Sequence, residues 1–207
     1  MGDILQFIPK PPSRFGFERV KKSKAGEKKN RQQLNLFSPA EQRDGQVLPF
    51  PRTTSPFEEA LAQDEQEDKR ARDSYLWAIE QGDCVPDAYC NLGILEFQLG
   101  NASKAFDCFT NSLRLDPRHR EAHFNLGNMY FELGDLNLAQ VHYEIAAEID
   151  PSFPNLYFNL GLVLALREDY AGAITKLRRY KELSSPDEGR NIDELLANLQ
   201  RSASLQR

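Results

Sequence analysis

From Tyr89 onward, apolar side chains return roughly every three to four positions: Tyr89, Leu92, Leu95, Phe97 and Leu99. That is the spacing of one helical face. Gly100-Asn101 breaks it, and glycine there can take a positive φ and close a helix C-terminus. A second run follows with Ala105, Phe106, Phe109, Leu113 and Leu115. Pro117 lacks an N–H and biases Asp116 away from helical dihedrals, so the run stops there. The pattern predicts a pair of antiparallel helices. It then recurs at a fixed interval of 34 residues: Asn91-Leu92-Gly93, Asn125-Leu126-Gly127 and Asn159-Leu160-Gly161. Gly100 and Gly134 keep step, as do Ala105, Ala139 and Ala173, then Phe109, Tyr143 and Leu177. Asp116-Pro117 answers to Asp150-Pro151. A fixed period of this length predicts stacked hairpins, because one helix pair cannot bury its apolar face alone.

Small residues stand where the two helices of a pair must approach: Gly93 with Ala105, Gly127 with Ala139, Gly161 with Ala173. On these residues the chain resembles the tetratricopeptide repeat, two antiparallel helices over 34 residues. Counting from Pro86, the family's small eighth residue is Gly93, its turn glycine Gly100, its alanine Ala105 and its proline Pro117; Glu96 departs from the expected aromatic. The unit from Arg120 keeps Gly127, Tyr130, Gly134, Ala139, Tyr143, Ala146 and Pro151. The unit from Pro154 keeps Gly161, Leu164, Ala173 and Leu177, with Glu168 in the turn glycine's place and Pro186 one position late. The fold expected is all-α, a right-handed α-solenoid of antiparallel hairpins.

Outside the fitted units, Ser55-Pro56-Phe57-Glu58 has the spacing of a capping box with proline at the first helical position. Ala71 and Tyr75 stand one period before Ala105 and Phe109, which predicts a degenerate first repeat. After Pro186, Ile192, Leu195, Leu196 and Leu199 form one stripe, predicting a closing helix that solvates the end of the array. The division expected is a disordered, basic, proline-containing arm over 1–54, a degenerate repeat over 55–85, repeats over 86–119, 120–153 and 154–186, and a capping helix and tail over 187–207.

The resemblance also implies a concave groove lined by the first helix of each unit. In the first unit its positions fall on Asp87, Cys90, Asn91, Ile94, Phe97 and Gln98. In the second they are Glu121, Phe124, Asn125, Asn128, Phe131 and Glu132. In the third they are Asn155, Phe158, Asn159 and Leu162, with Ala165 and Leu166 beyond. No Lys or Arg is among them, so the basic clamp that some family members use to grip acidic chaperone tails is not expected. A neutral or basic protein or peptide with apolar anchors suits this surface, since large apolar side chains facing solvent mark a partner. The alternative is that Phe97, Phe124 and Phe158 pack between adjacent units.

Composition adds an asymmetry. The chain has a net charge of −5, yet residues 1–51 carry ten Lys or Arg against five Asp or Glu. A basic arm is thus joined to an acidic body, and the arm could fold back over the groove at the high effective concentration of a tether. Within the arm, Gln33-Leu34-Asn35-Leu36-Phe37 resembles the pentapeptide by which bacterial replication and repair proteins dock on the sliding clamp, with Gln33, Leu36 and Phe37 in the contact roles and Leu34 between. Lys21, Lys22, Lys24, Lys28, Lys29 and Arg31 could meet phosphates, with Phe15 and Phe17 available for stacking. The rival function is therefore an accessory factor near DNA, although nucleic-acid binding is not the favoured reading.

An enzyme is not expected. No phosphate-binding glycine loop appears, and His119, His123 and His142 read as surface residues rather than ligands. Cys84, Cys90 and Cys108 match no zinc spacing and read as reduced thiols. No cofactor, metal or small-molecule ligand is expected. No apolar run approaches a membrane span, and no signal-peptide core is present, so the expected setting is cytoplasmic.

Overall fold

The computed structural model describes residues 16–21, 54–185 and 192–205, and the chain divides into two units, 21–83 and 1–20 with 84–207. Every described element is a helix or an irregular connection, and no strand occurs among the described residues. The pentapeptide over 33–37 and the basic residues 22–31 lie outside the described residues.

The smaller unit holds helices α1 (Pro56–Glu65) and α2 (Ala71–Glu80). The capping box forms as its spacing predicts: the Ser55 hydroxyl accepts from the Glu58 N–H, and the Glu58 carboxylate accepts from the Ser55 N–H at 2.9 Å. Phe57 and Tyr75 pack with ring centroids 6.1 Å apart, and Phe57, Ala60, Ala71, Tyr75 and Ala78 are buried. Ala71 and Tyr75 thus hold the interior places that the 34-residue period assigns them.

In the larger unit, α3 (Val85–Gln98) pairs with α4 (Ala102–Leu115), α5 (Arg120–Glu132) with α6 (Leu136–Ile149), and α7 (Pro154–Leu166) with α8 (Tyr170–Leu183). Helix α9 (Asp193–Leu205) packs on α8. Each hairpin turn is closed by the same pair of bonds. Gly100 N–H donates to Phe97 C=O and Asn101 N–H to Glu96 C=O; Gly134 and Asp135 repeat this on Phe131 and Tyr130. Both glycines sit at φ near +80°. Glu168 makes the equivalent bond to Ala165 at φ 64°, a conformation that a side chain with a Cβ resists. The expected helix stops hold as well: Asp116 and Asp150 are extended, with ψ 94° and 92°.

The close approach within each hairpin differs in detail from the expected one. A Cβ on Gly93 would meet the Phe109 ring at 2.8 Å, on Gly127 the Tyr143 ring at 2.5 Å, and on Gly161 the Leu177 side chain at 2.7 Å. The glycine makes room for the large residue at the twenty-fourth place of its unit, not chiefly for the alanine. Glu96, the departure from the family's aromatic, is buried and accepts from the Asn101 side chain at 2.9 Å across the turn.

Helix α7 is buried on every side from Leu156 to Ala165. A helix apolar all round must be covered all round. Helices α5 and α6 cover one flank, α8 another, and Ile192, Leu195, Leu196 and Leu199 of the terminal segment join the same core. The predicted stripe of the closing helix is therefore the stripe that is buried.

Candidate functional site

The period places Asn91, Asn125 and Asn159 at one register of α3, α5 and α7, and all three are fully buried. An amide side chain offers one acceptor and two donor hydrogens. Buried polar groups need partners, and the first two asparagines find theirs in residues 16–20. The Val20 N–H donates to Asn91 Oδ1 at 2.8 Å, and Asn91 Nδ2 donates to the Val20 carbonyl at 3.1 Å. The Glu18 N–H donates to Asn125 Oδ1 at 2.8 Å, and Asn125 Nδ2 returns a bond to the Glu18 carbonyl at 2.9 Å. Each amide grips both backbone groups of one residue, and the gripped residues are two apart. That is the repeat of an extended chain, in which alternate residues present their backbone groups to the same side. The segment runs antiparallel to the order of the repeats.

Further contacts fix the segment. Asn128 Nδ2 donates to the Gly16 carbonyl at 3.3 Å. Its Oδ1 is taken by two donors, the Tyr143 hydroxyl at 2.6 Å and Asn159 Nδ2 at 2.8 Å, which leaves its amide hydrogens aimed at the segment. Phe17 lies 5.0 Å from Phe97, tilted, and is stacked parallel to Phe109 at 6.3 Å. Val20 is buried. Residues 16–20, expected to belong to a disordered arm, thus lie as an extended strap on α3 and α5.

The predicted groove residues divide in two. Asn91, Asn125, Asn128 and Phe97 touch the strap as described. Asn125 Nδ2 also lies 3.3 Å from the buried Cys90 sulfur, whose thiol pKa is pushed up by burial. Ile94 is buried beside them, and Gln98 and Glu132 are exposed. Phe124 and Phe158, expected to face solvent, are core residues instead. Phe124 is edge-on to Phe153 at 5.1 Å and near Tyr143 at 5.8 Å, while Phe158 meets Tyr180 at 5.2 Å. Leu162 and Ala165 are buried in the same core, and Phe131 packs partly buried against it. Leu166 and Asn155 are half-buried. At these places the core claims the side chain: Phe158 meets Tyr180 of its own hairpin, and Phe124 lies between Tyr143 of its own hairpin and Phe153. Asp87 and Glu121 are drawn into polar pairs, Asp87 with His119 at 2.9 Å and Glu121 with Arg120 at 2.5 Å.

The histidines are not surface residues as expected; His119 and His123 are buried. His119 caps α5: its Nδ1 accepts from the Ala122 N–H at 3.1 Å, so Nε2 carries the proton and donates to Asp87. His123 Nε2 donates to the Pro117 carbonyl at 3.3 Å, which leaves its Nδ1 to accept from His142 Nδ1 at 3.1 Å. Burial holds both of these rings below the usual imidazole pKa, His142 down to about 4. Tyr130 stacks on His142 at 5.5 Å. This polar seam joins α5 to α6. Among the described residues no group of three or more His, Cys, Asp or Glu could hold a metal ion, and no helix is long and apolar enough to cross a membrane.

Phe17 and Val20 are the site residues that the groove positions could not supply, since they lie some seventy or more residues upstream of the asparagines they meet. The signals for them in the sequence were the aromatic residues of the polar arm and the opposite charges of arm and body, and neither specified the contact residues.

Comparison with known proteins agrees with this geometry. A family model described as tetratricopeptide repeat matches residues 86–119, and one described as TPR repeat matches residues 127–167. No curated relative matches the sequence. Among solved structures, a thermophilic TPR protein of Thermus thermophilus is similar with a TM-score of 0.56 and 21% identity, over 72% of this chain and 81% of that one. The first TPR of Spaghetti (RPAP3), bound to the HSP90 peptide SRMEEVD, is similar with a TM-score of 0.50 and 20% identity, over 59% of this chain and 93% of that one. The 34-residue period, the glycine seats and the two family matches agree: residues 86–119 and 127–167 carry tetratricopeptide repeats.

Proposed function

We propose that the protein is a non-catalytic adaptor that holds an extended stretch of another polypeptide along α3 and α5. The supporting observation is the pair of asparagines, each bonded to both the N–H and the C=O of one residue of an extended segment. Backbone recognition of this kind gives affinity to any extended chain, and flanking apolar seats give selectivity. The Phe97–Phe109 seat supplies such selectivity. The Spaghetti domain, of related fold, is seen with a peptide ending in Glu-Glu-Val-Asp. The groove positions of this chain carry no Lys or Arg to hold such carboxylates. Asp87, Glu121 and Glu132 instead favour a neutral or basic ligand with apolar anchors.

The test is co-purification with the full chain and with an Asn91→Ala/Asn125→Ala variant. Polypeptides held by the first and lost by the second are expected. If both forms retain the same polypeptides, the groove is not the binding surface.

A further inference from the structure

We propose that residues 16–20 are a built-in competitor for the partner, and that the partner carries the same chemistry. The ligand class is an extended segment with an aromatic residue, then an aliphatic residue three positions later, as Phe17 and Val20 stand here. The proposal rests on the groove being a polypeptide site, and adds what that polypeptide looks like and how it gains access.

Three observations carry it. The segment meets the groove as a ligand does, through backbone bonds to Asn91, Asn125 and Asn128 and one aromatic anchor against Phe97 and Phe109. Second, it is joined to the repeats through a long stretch, residues 21–83. A segment held in the same chain meets the groove at a finite effective concentration, which a partner in sufficient excess can overcome.

Third, the ladder has a rung that the strap does not use. Asn159 holds the register of Asn91 and Asn125 one period further on, and it is fully buried. Its Nδ2 is turned to Asn128 Oδ1, and its Oδ1 has no hydrogen-bond partner among the described residues. Unsatisfied buried acceptors are uncommon. The gripped positions are two apart, so Gly16 is the position in step with Asn159; its carbonyl is bonded to Asn128 instead. A ligand that stays in step for one more residue would give the Asn159 oxygen a backbone N–H. A partner that drew Asn159 out of its bond to Asn128 and met its oxygen would hold one rung more than the strap and displace it.

The probe is a fluorescent peptide with the sequence of residues 13–24, SRFGFERVKKSK, followed by anisotropy against the full chain. In a Phe17→Glu/Val20→Glu chain the strap can no longer seat itself. We expect that chain to bind the probe at least tenfold more tightly than the wild type, and to lose the gain when Asn91 and Asn125 are also changed to Ala.

Equal probe affinity in the wild type and the double variant overturns the proposal, because the segment is then a permanent brace. Should the double variant fail to fold, Phe17→Ala serves, with a gain of about threefold expected; no gain overturns the proposal. A wild-type dimer that dissociates on Phe17→Ala substitution also overturns it, since the strap then belongs to a second copy. Probe binding lost in every form while polypeptides still co-purify through Asn91 and Asn125 would refute the competitor and leave the adaptor standing.

Discussion

The second and third repeats of the larger unit have matching positions but spend them differently. In the repeat of α5 and α6, Asn125 grips the strap, Gly127 lies under the Tyr143 ring and Gly134 turns the hairpin at φ 82°. In the repeat from Pro154, Asn159 bonds to its neighbour Asn128, Gly161 lies under Leu177 and Glu168 takes the left-handed turn. The period fixes which residue types can recur. The surroundings decide what each does: the middle repeat faces a ligand-like segment, while α7 of the last is enclosed by core.

Changing the glycines tests this contrast most severely. Gly127→Ala drives a methyl into a ring that is itself buried and bonded to Asn128, and should cost about 2–3 kcal/mol by overpacking. Gly161→Ala meets the flexible Leu177 and should cost about 1 kcal/mol. Chemical denaturation of the two variants measures the difference. Equal costs would mean that the seat under the aromatic ring is no tighter than that under leucine.

The asparagines come next. Asn125→Ala removes both bonds to Glu18, and should destabilise the fold by about 1–2 kcal/mol while speeding hydrogen exchange at the Glu18 amide. Asn159→Ala removes a residue whose oxygen already lacks a partner, and should cost less than about 1 kcal/mol with no change at Glu18. Faster exchange at Glu18 in Asn159→Ala would show that the third rung supports the strap after all.

The histidine seam separates the repeats by pH. His142 is held near 4 in the fold, chiefly by burial, against about 6.5 when exposed. Between those values the unfolded chain binds more protons than the folded one. Stability contributed by this pair is thus full above about pH 6.5 and falls as pH drops toward 4. With allowance for solvent screening at a partly exposed ring, the loss is on the order of 1 kcal/mol. The third repeat has Lys176 at this place. His142→Gln should flatten the acid side of the stability curve; an unchanged slope would assign it to other groups.

The smallest effect runs the other way. Glu168→Gly relieves a left-handed turn that glycine occupies in the other two repeats, and should raise stability by about 0.5–1 kcal/mol. A thermal melt that does not rise would show that the Glu168 side chain compensates for its backbone.

The sequence by itself determined the helical hairpins, their 34-residue period, the capping box at Ser55, the glycine turns and the stripe of the closing helix. These depend on local backbone chemistry and on spacing along one chain, which a reader of residues can count. Tertiary structure alone decided which groove positions remain available, because Phe124, Phe158 and Leu162 are consumed by the core. It decided that His119 and His123 are interior. It also decided that Phe17 to Val20 lie on the groove, where amides on separate helices bond to an extended segment. Hydrogen bonds between residues 71 and 107 positions apart leave no periodic trace in a chain, so only three-dimensional proximity reveals them.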